Sequence, residues 1–340
     1  MNRRMRVAHV VAFLVIGVSV LAVPALAQDC PELVGRWPYG PAYAVAVSGD
    51  YAYFGSGTAL LVASISNPAA PQVVGDVALP GLVRGIAVAG DFAYVAADES
   101  GLRVVDVSVP SAPVEVGYIE TPGYAYGVAV PGSYAYVADG SGGLRVIDVS
   151  MPSMPVQVGF IGTPSAAYDV AVSGSYAYVA DVTAGLRVID VSVPSAPVEV
   201  GYVDTPEWAN SVAVSGGYAY VADGSAGLRV VNVSVPSAPL EVGYVDTPAY
   251  AYGVAVSGSH AYVADWTGGL RVINVSTPSV PVEVGYVDTP GSALGVAVSD
   301  GYAYLADDDA GLAVFLECEA TLFDDGFESG DTSAWSATVP

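Results

Sequence analysis

Two histidines, His9 and His260, and two cysteines, Cys30 and Cys318, are all that this 340-residue chain offers for imidazole or thiol chemistry. That is too little for a histidine-based catalytic pair or a His/Cys metal cluster. Neither a G-x-S-x-G turn nor a phosphate-binding glycine loop occurs. The reading implies no catalytic residue, no metal and no cofactor. Carboxylates are abundant: 34 acids stand against ten basic residues, all of them arginine. The most regular acids follow a Tyr-Ala-Tyr-Val-Ala type of segment, at Asp98, Asp139, Asp181, Asp223, Asp265 and Asp307. A ring of carboxylates would hold a cation, but an acid used in nearly every unit is expected to do structural work as an Asx-type turn cap. Arg103, Arg145, Arg187, Arg229 and Arg271 recur in step with them and are expected to be their ion-pair partners. Asp106, Asp148 and Asp190 give way to Asn232 and Asn274 in later units. That swap keeps an acceptor and loses a charge, which a turn cap tolerates and a general acid or base does not.

The elements that position these groups come from a repeat. Val-Ala-Val or a near copy starts at Val45, Ile86, Val128, Val170, Val212, Val254 and Val296, in steps of 41 and then 42 residues. Each unit holds four short segments rich in Val, Ile and Tyr, as at Tyr126–Val130, Tyr134–Ala138, Leu144–Val149 and Val156–Ile161. They are bounded by Gly, Pro, Ser and Asp, and none shows a helical period over ten residues. Proline is confined to the connections, where its missing N–H does no harm. Four antiparallel strands in about 42 residues is the signature of a β-propeller blade, and seven units predict seven blades. His260 replaces a strand tyrosine and is expected to be a core residue.

The chain ends predict a closed ring rather than an open stack. The seventh unit has strands one to three only, and a fourth-strand pattern appears ahead of the first unit, at Pro31–Trp37. The N-terminal strand is therefore expected to complete the last blade. Aligned on the repeat, Cys318 takes the place of Ser150 and Cys30 that of Met154, the two sides of the connection that the closing blade lacks. A Cys30–Cys318 disulfide would replace that connection.

The third strand and its turn read Leu102–Ser108, repeated at Leu144–Ser150, Leu186–Ser192, Leu228–Ser234 and Leu270–Ser276. This resembles the LVIVD-repeat family of bacterial and archaeal secreted or surface proteins. The resemblance spans about 42–316 and implies a propeller in an extracytoplasmic setting, with no established reaction. The first and last units depart from it, with Leu60-Leu61-Val62-Ala63 and Leu312-Ala313-Val314-Phe315.

Residues 1–27 read as a secretory signal peptide: basic Met1–Arg6, apolar Val7–Ala22, and Ala25-Leu26-Ala27 before the cut after Ala27. The propeller is assigned to 28–318 and an acidic C-terminal tail to 319–340. Beyond residue 27, seven arginines face 34 acids, a formal charge of −27. That excludes binding of nucleic acid by phosphate neutralisation, and a basic membrane-surface patch. No later segment is long and apolar enough to span a membrane. Function is expected where units differ. One face should gather Tyr124, Tyr126, Trp208, Asn210, Tyr250, Tyr252 and Trp266, with Arg84, Tyr168, Asp169, Glu207, Asp308 and Asp309. Exposed aromatics beside carboxylates and amides suit a sugar or a peptide. The expectation is a monomeric, noncatalytic binding or scaffold module, secreted or at the cell surface, with a protein or glycan partner. Alternatives are a polysaccharide hydrolase or lyase, which needs only two acids about 5–9.5 Å apart, and a purely structural envelope protein.

Overall fold

The computed structural model describes residues 30–318. The assigned signal peptide and tail lie outside the described residues. Within them are 28 strands in seven four-stranded antiparallel sheets. β1 is Glu32–Trp37. Blades 1 to 6 follow in order: β2–β5 (45–78), β6–β9 (85–119), β10–β13 (127–161), β14–β17 (169–203), β18–β21 (209–245) and β22–β25 (253–287). The seventh blade joins β26 (Gly295–Ser299), β27 (Tyr302–Ala306) and β28 (Leu312–Leu316) to β1, in the order β1-β28-β27-β26. The innermost strand of each blade packs beside that of the next, and β26 beside β2, so the ring closes.

Blade 4 shows why this sequence forms these strands. β15 (Tyr176–Ala180) and β16 (Leu186–Asp190) lie mid-sheet with a neighbouring blade on each face, so they read as nearly continuous apolar runs. Leu186, Val188 and Ile189 have no solvent exposure. Ala177 and Ala180, on opposite faces of the strand, sit fully buried in the two layers that flank it. The core is thus seven inter-blade layers. In one of them Tyr136, Leu144 and Val146 of blade 3 meet Val170, Val179 and Ile189 of blade 4. Outer strand β17 (Val198–Val203) shows mixed exposure, as an edge strand should.

A bulge interrupts the third-to-fourth strand pairing in each blade, for example between Val188 and Ile189 opposite Gly201 and Glu199. It delivers a glycine to the point where the next blade's loop crosses. A Cβ on Gly201 would sit 2.3 Å from the Pro236 carbonyl oxygen. At the ring closure Gly285 meets the Cys30 carbonyl in the same way, at 1.9 Å.

The expected closure is present. β1 pairs antiparallel with β28, Glu32 opposite Leu316 and Trp37 opposite Leu312. Cys30 and Cys318 are disulfide-bonded, with their Cα atoms 5.5 Å apart. No helix among the described residues is long and apolar enough to cross a membrane.

Candidate functional site

Each inner strand is entered by a linker from the previous blade, and that linker pairs with the loop between strands two and three of the same previous blade. Single β-bridges mark the contact: Asp98 to Ala125, Gly140 to Ala167, Val182 to Ala209, Gly224 to Ala251, Trp266 to Ala293, and Asp308 to Ala42. Both loop sets therefore share one face. There the residue two before each Val-Ala-Val lines the mouth of the central channel: Tyr43, Arg84, Tyr126, Tyr168, Asn210, Tyr252 and Leu294, one per blade. The next position is Ala, Gly, Gly, Asp, Ser, Gly and Gly around the ring, and these small residues leave a cavity of about 210 Å³.

Two aromatic corners flank the mouth. Tyr126 and Tyr168 meet with ring centroids 4.4 Å apart at 40°, and Tyr124 lies outside them, 6.3 Å from Tyr126. Tyr252 meets Tyr250 at 5.1 Å and 46°, with Trp208 edge-on to Tyr250 at 6.4 Å. Tyr124 and Trp208 are about half exposed, at 47% and 48%. Burial pushes the Tyr126 and Tyr250 hydroxyls above the usual phenol range, so both stay neutral.

Asp169 sits between the corners. It is packed deep among protein atoms yet reaches solvent through the channel. Its carboxylate accepts from Ser211 Oγ at 2.7 Å, the Val212 N–H at 3.0 Å and the Val170 N–H at 2.8 Å. Burial raises its pKa, and these three donors oppose the rise. Asn210 is 7% exposed; its Nδ2 donates to the Ala251 carbonyl at 2.9 Å, while its buried Oδ1 has no partner among the described residues. Across the mouth, Arg84 donates to Asp98 at 3.0 Å and lies over the Tyr43 ring, 5.4 Å from its centre.

Six of the seven residues expected on this face thus form two connected groups. Tyr126, Asn210 and Tyr252 line the channel, and Tyr124, Trp208 and Tyr250 form the tier outside. Trp266 stands apart. It is 44% exposed in a left-handed conformation (φ 47°) and does not line the cavity. Tyr43 and Leu294 were missed by the sequence reading; only their phase, two before the repeat tripeptide, could have found them.

The recurrent aspartates need correction on two points. Asp98 is out of phase with the rest. Ala97, not Asp98, makes the backbone bond to the loop end (to Gly101, 2.8 Å) that Asp139 makes to Gly143. Asp98 stands where blade 3 has Gly140, at φ 52°. The true members also do not cap their own loops. Asp181 accepts from Thr163 Oγ1 at 2.6 Å and the Ser165 N–H at 2.9 Å, both in the linker arriving from blade 3. Asp223, Asp265 and Asp307 repeat this with Thr205, Thr247 and Thr289. Asp139 takes the Gly123 N–H at 3.1 Å. They are inter-blade clamps, and desolvation raises the pKa of Asp181, Asp223, Asp265 and Asp307.

The expected arginine partners are present in four blades: Arg145 to Asp139 at 3.0 Å, Arg187 to Asp181 at 3.9 Å, Arg229 to Asp223 at 3.7 Å, and Arg271 to Asp265 at 3.7 Å. Arg103, lacking an aspartate, turns to Glu115 at 3.1 Å. Each of these five guanidiniums is covered by a fourth-strand ring, as Arg187 is by Tyr202 at 4.6 Å. In blade 7 Ala313 replaces the arginine, and Arg36 on the strand opposite reaches Asp307 at 3.3 Å. Asp106, Asp148, Asp190, Asn232 and Asn274 cap their turns as expected, each accepting the N–H of the serine two residues on.

On the opposite face a cavity of about 410 Å³ lies at the junction of blades 6 and 7, lined by His260, Glu317 and Cys318 among others. His260 is 6% exposed in its strand, and burial lowers its pKa.

Comparison with known proteins agrees with this architecture. The model of the LVIVD repeat matches seven times, at 39–78, 80–121, 122–163, 164–205, 208–247, 248–289 and 290–315. No curated protein matches. Among solved structures, the Myceliophteria thermophila Cps50 (Swd1) β-propeller domain is similar at 11% identity, with a TM-score of 0.70 over 85% of this chain and 100% of that one. The computationally designed Ika8 protein is similar at 11% identity, with a TM-score of 0.62 over 84% of this chain and 99% of that one. At such identity these two structures speak for the fold alone. The seven matches cover nearly all of the ring, and the chain belongs to the LVIVD-repeat family.

Proposed function

We propose that this chain is an exported, noncatalytic binding propeller, acting at the cell surface or outside the cell, whose partner docks on the channel-mouth face. Export is read from the Met1–Ala27 pattern, and a paired Cys30–Cys318 suits an oxidising compartment. One observation carries the binding role. The repeat is kept almost unchanged in the strands, and its largest departures in side-chain chemistry gather at one end of the channel, where Tyr124, Trp208, Tyr250 and their neighbours meet in two exposed aromatic groups. A structural ring has no use for such variation. Amphipathic rings beside an amide and a carboxylate suit a glycan or a peptide surface.

The test is a glycan and secreted-protein array probed with the mature chain and with a Trp208→Ala/Tyr250→Ala variant. Loss of two central aromatic anchors should weaken capture by roughly tenfold or more. Equal capture by both proteins would place the binding surface elsewhere.

A further inference from the structure

Resting on the reading that the channel mouth is the binding face, we infer that its deep pocket takes an organic cation: a primary ammonium of lysine side-chain size, seated against Tyr126, Tyr168 and Tyr252 with Asp169 behind it. Two observations carry this. First, the walls are phenol rings set at an angle, Tyr126 against Tyr168 at 40° and Tyr252 against Tyr250 at 46°. Ring faces carry negative potential and attract a cation within about 6 Å of their centres. The mouth already holds one such pair, Arg84 over Tyr43 at 5.4 Å.

Second, the charge inside the mouth is divided. Arg84 is held by Asp98 at 3.0 Å, which neutralises it. Asp169 has only neutral donors around it, Ser211 Oγ and the Val170 and Val212 N–H groups, so no cation offsets its carboxylate. These donors favour the charged form against the rise that burial causes, and a cation beside the carboxylate would favour it further. An ammonium balances that carboxylate, and neither an anion nor a hydrocarbon does. The cavity of about 210 Å³ has room for such a group, and a chain with 34 acids and ten arginines draws cations toward it.

The experiment compares two neutral-ended probes by calorimetry on the mature protein: N-acetyl-lysine methylamide and N-acetyl-norleucine methylamide, which differ at the side-chain end. The lysine probe should bind roughly tenfold or more tightly than its isostere. Raising salt should weaken the lysine probe and leave the isostere unchanged. Asp169→Asn and Tyr168→Ala should each reduce lysine binding severalfold, with thermal melts showing that both variants fold. Because the probe comparison needs only the wild-type protein, the inference stays open to refutation if a variant fails to fold. Equal binding of both probes, or no binding of either, would overturn the cation inference. The array result with Trp208→Ala/Tyr250→Ala stands independently, so failure of this pocket and failure of the binding face are told apart.

Discussion

An aspartate with no water around it must be held by donors, and the clamps do this with a threonine hydroxyl, a backbone N–H and a guanidinium. Asp223 accepts from Thr205 Oγ1 at 2.5 Å and from the Glu207 N–H at 3.1 Å, with Arg229 at 3.7 Å. Asp223→Ala removes the buried partner of Arg229 and leaves the Thr205 hydroxyl and the Glu207 N–H without their acceptor, while Glu241 at 3.6 Å and Asp246 at 3.7 Å still face the guanidinium. Leaving such donors unpaired costs about 2 kcal/mol or more. Asp98→Ala should cost under about 1 kcal/mol, because Arg84 is one-third exposed and water replaces the partner. Denaturant melts of the two variants check this. Equal losses would mean that Asp98 does clamp work after all. The sequence showed the recurrence of these acids but placed Asp98 among them. In that unit Ala97 fills the clamp position and an acid follows it, so the recurrence of acids is offset there by one residue. Turn residues vary freely where only the backbone is used, and phase within a loop is hard to read from spacing.

At the scale of the element, the closing blade differs from the other six in joining one amino-terminal strand to three carboxy-terminal ones. Arg36 on β1 faces Ala313 on β28 and supplies the cation that Ala313 cannot. The disulfide ties the same two strands. Cys30→Ser should therefore lower stability, by up to roughly 5 kcal/mol in the chain-entropy picture, with delivered values running lower. Melting temperatures with and without reductant should differ for the wild type and coincide for the variant. A reductant-insensitive wild type would show that strand pairing alone holds the blade. This closure was legible before any coordinates. A fourth-strand pattern ahead of the first unit and two cysteines at complementary phases left a ring as the simplest arrangement. The swap of arginine between strands was not legible, since it depends on which residues face each other across the sheet.

For the whole molecule, acidity and burial combine in a stated direction. Asp181, Asp223, Asp265 and Asp307 have raised pKa values in the fold because of desolvation. The folded state then binds more protons than the unfolded one, so their contribution falls as pH rises through the raised values. The exposed caps Asp106, Asp148 and Asp190 are lowered by their serine hydrogen bonds, and their contribution is lost as pH falls. Mild acid also relieves repulsion among 34 carboxylic acids. The melting temperature should be at least as high at pH 5 as at pH 7.5, because the lowered caps stay ionised at both pH values; a clear drop at pH 5 would show that the clamp carboxyls are not raised in the fold. Seven-fold architecture was readable because the spacing repeats within a residue. The channel-mouth group was readable in part, since Tyr124, Tyr126, Trp208, Asn210, Tyr250 and Tyr252 broke the pattern. Trp266 broke it too, but it does not line the cavity.

The pairing of β1 with β28 also sets an order of events during synthesis. Among the described strands Glu32–Trp37 is made first, yet its partner Leu312–Leu316 is made last. Until the ribosome has passed that point, the earliest strand has no mate and the growing arc has two open edges. Covalent locking through Cys30 must then be a late step, and a prematurely ended chain is left as an incomplete arc able to recruit another copy edge to edge.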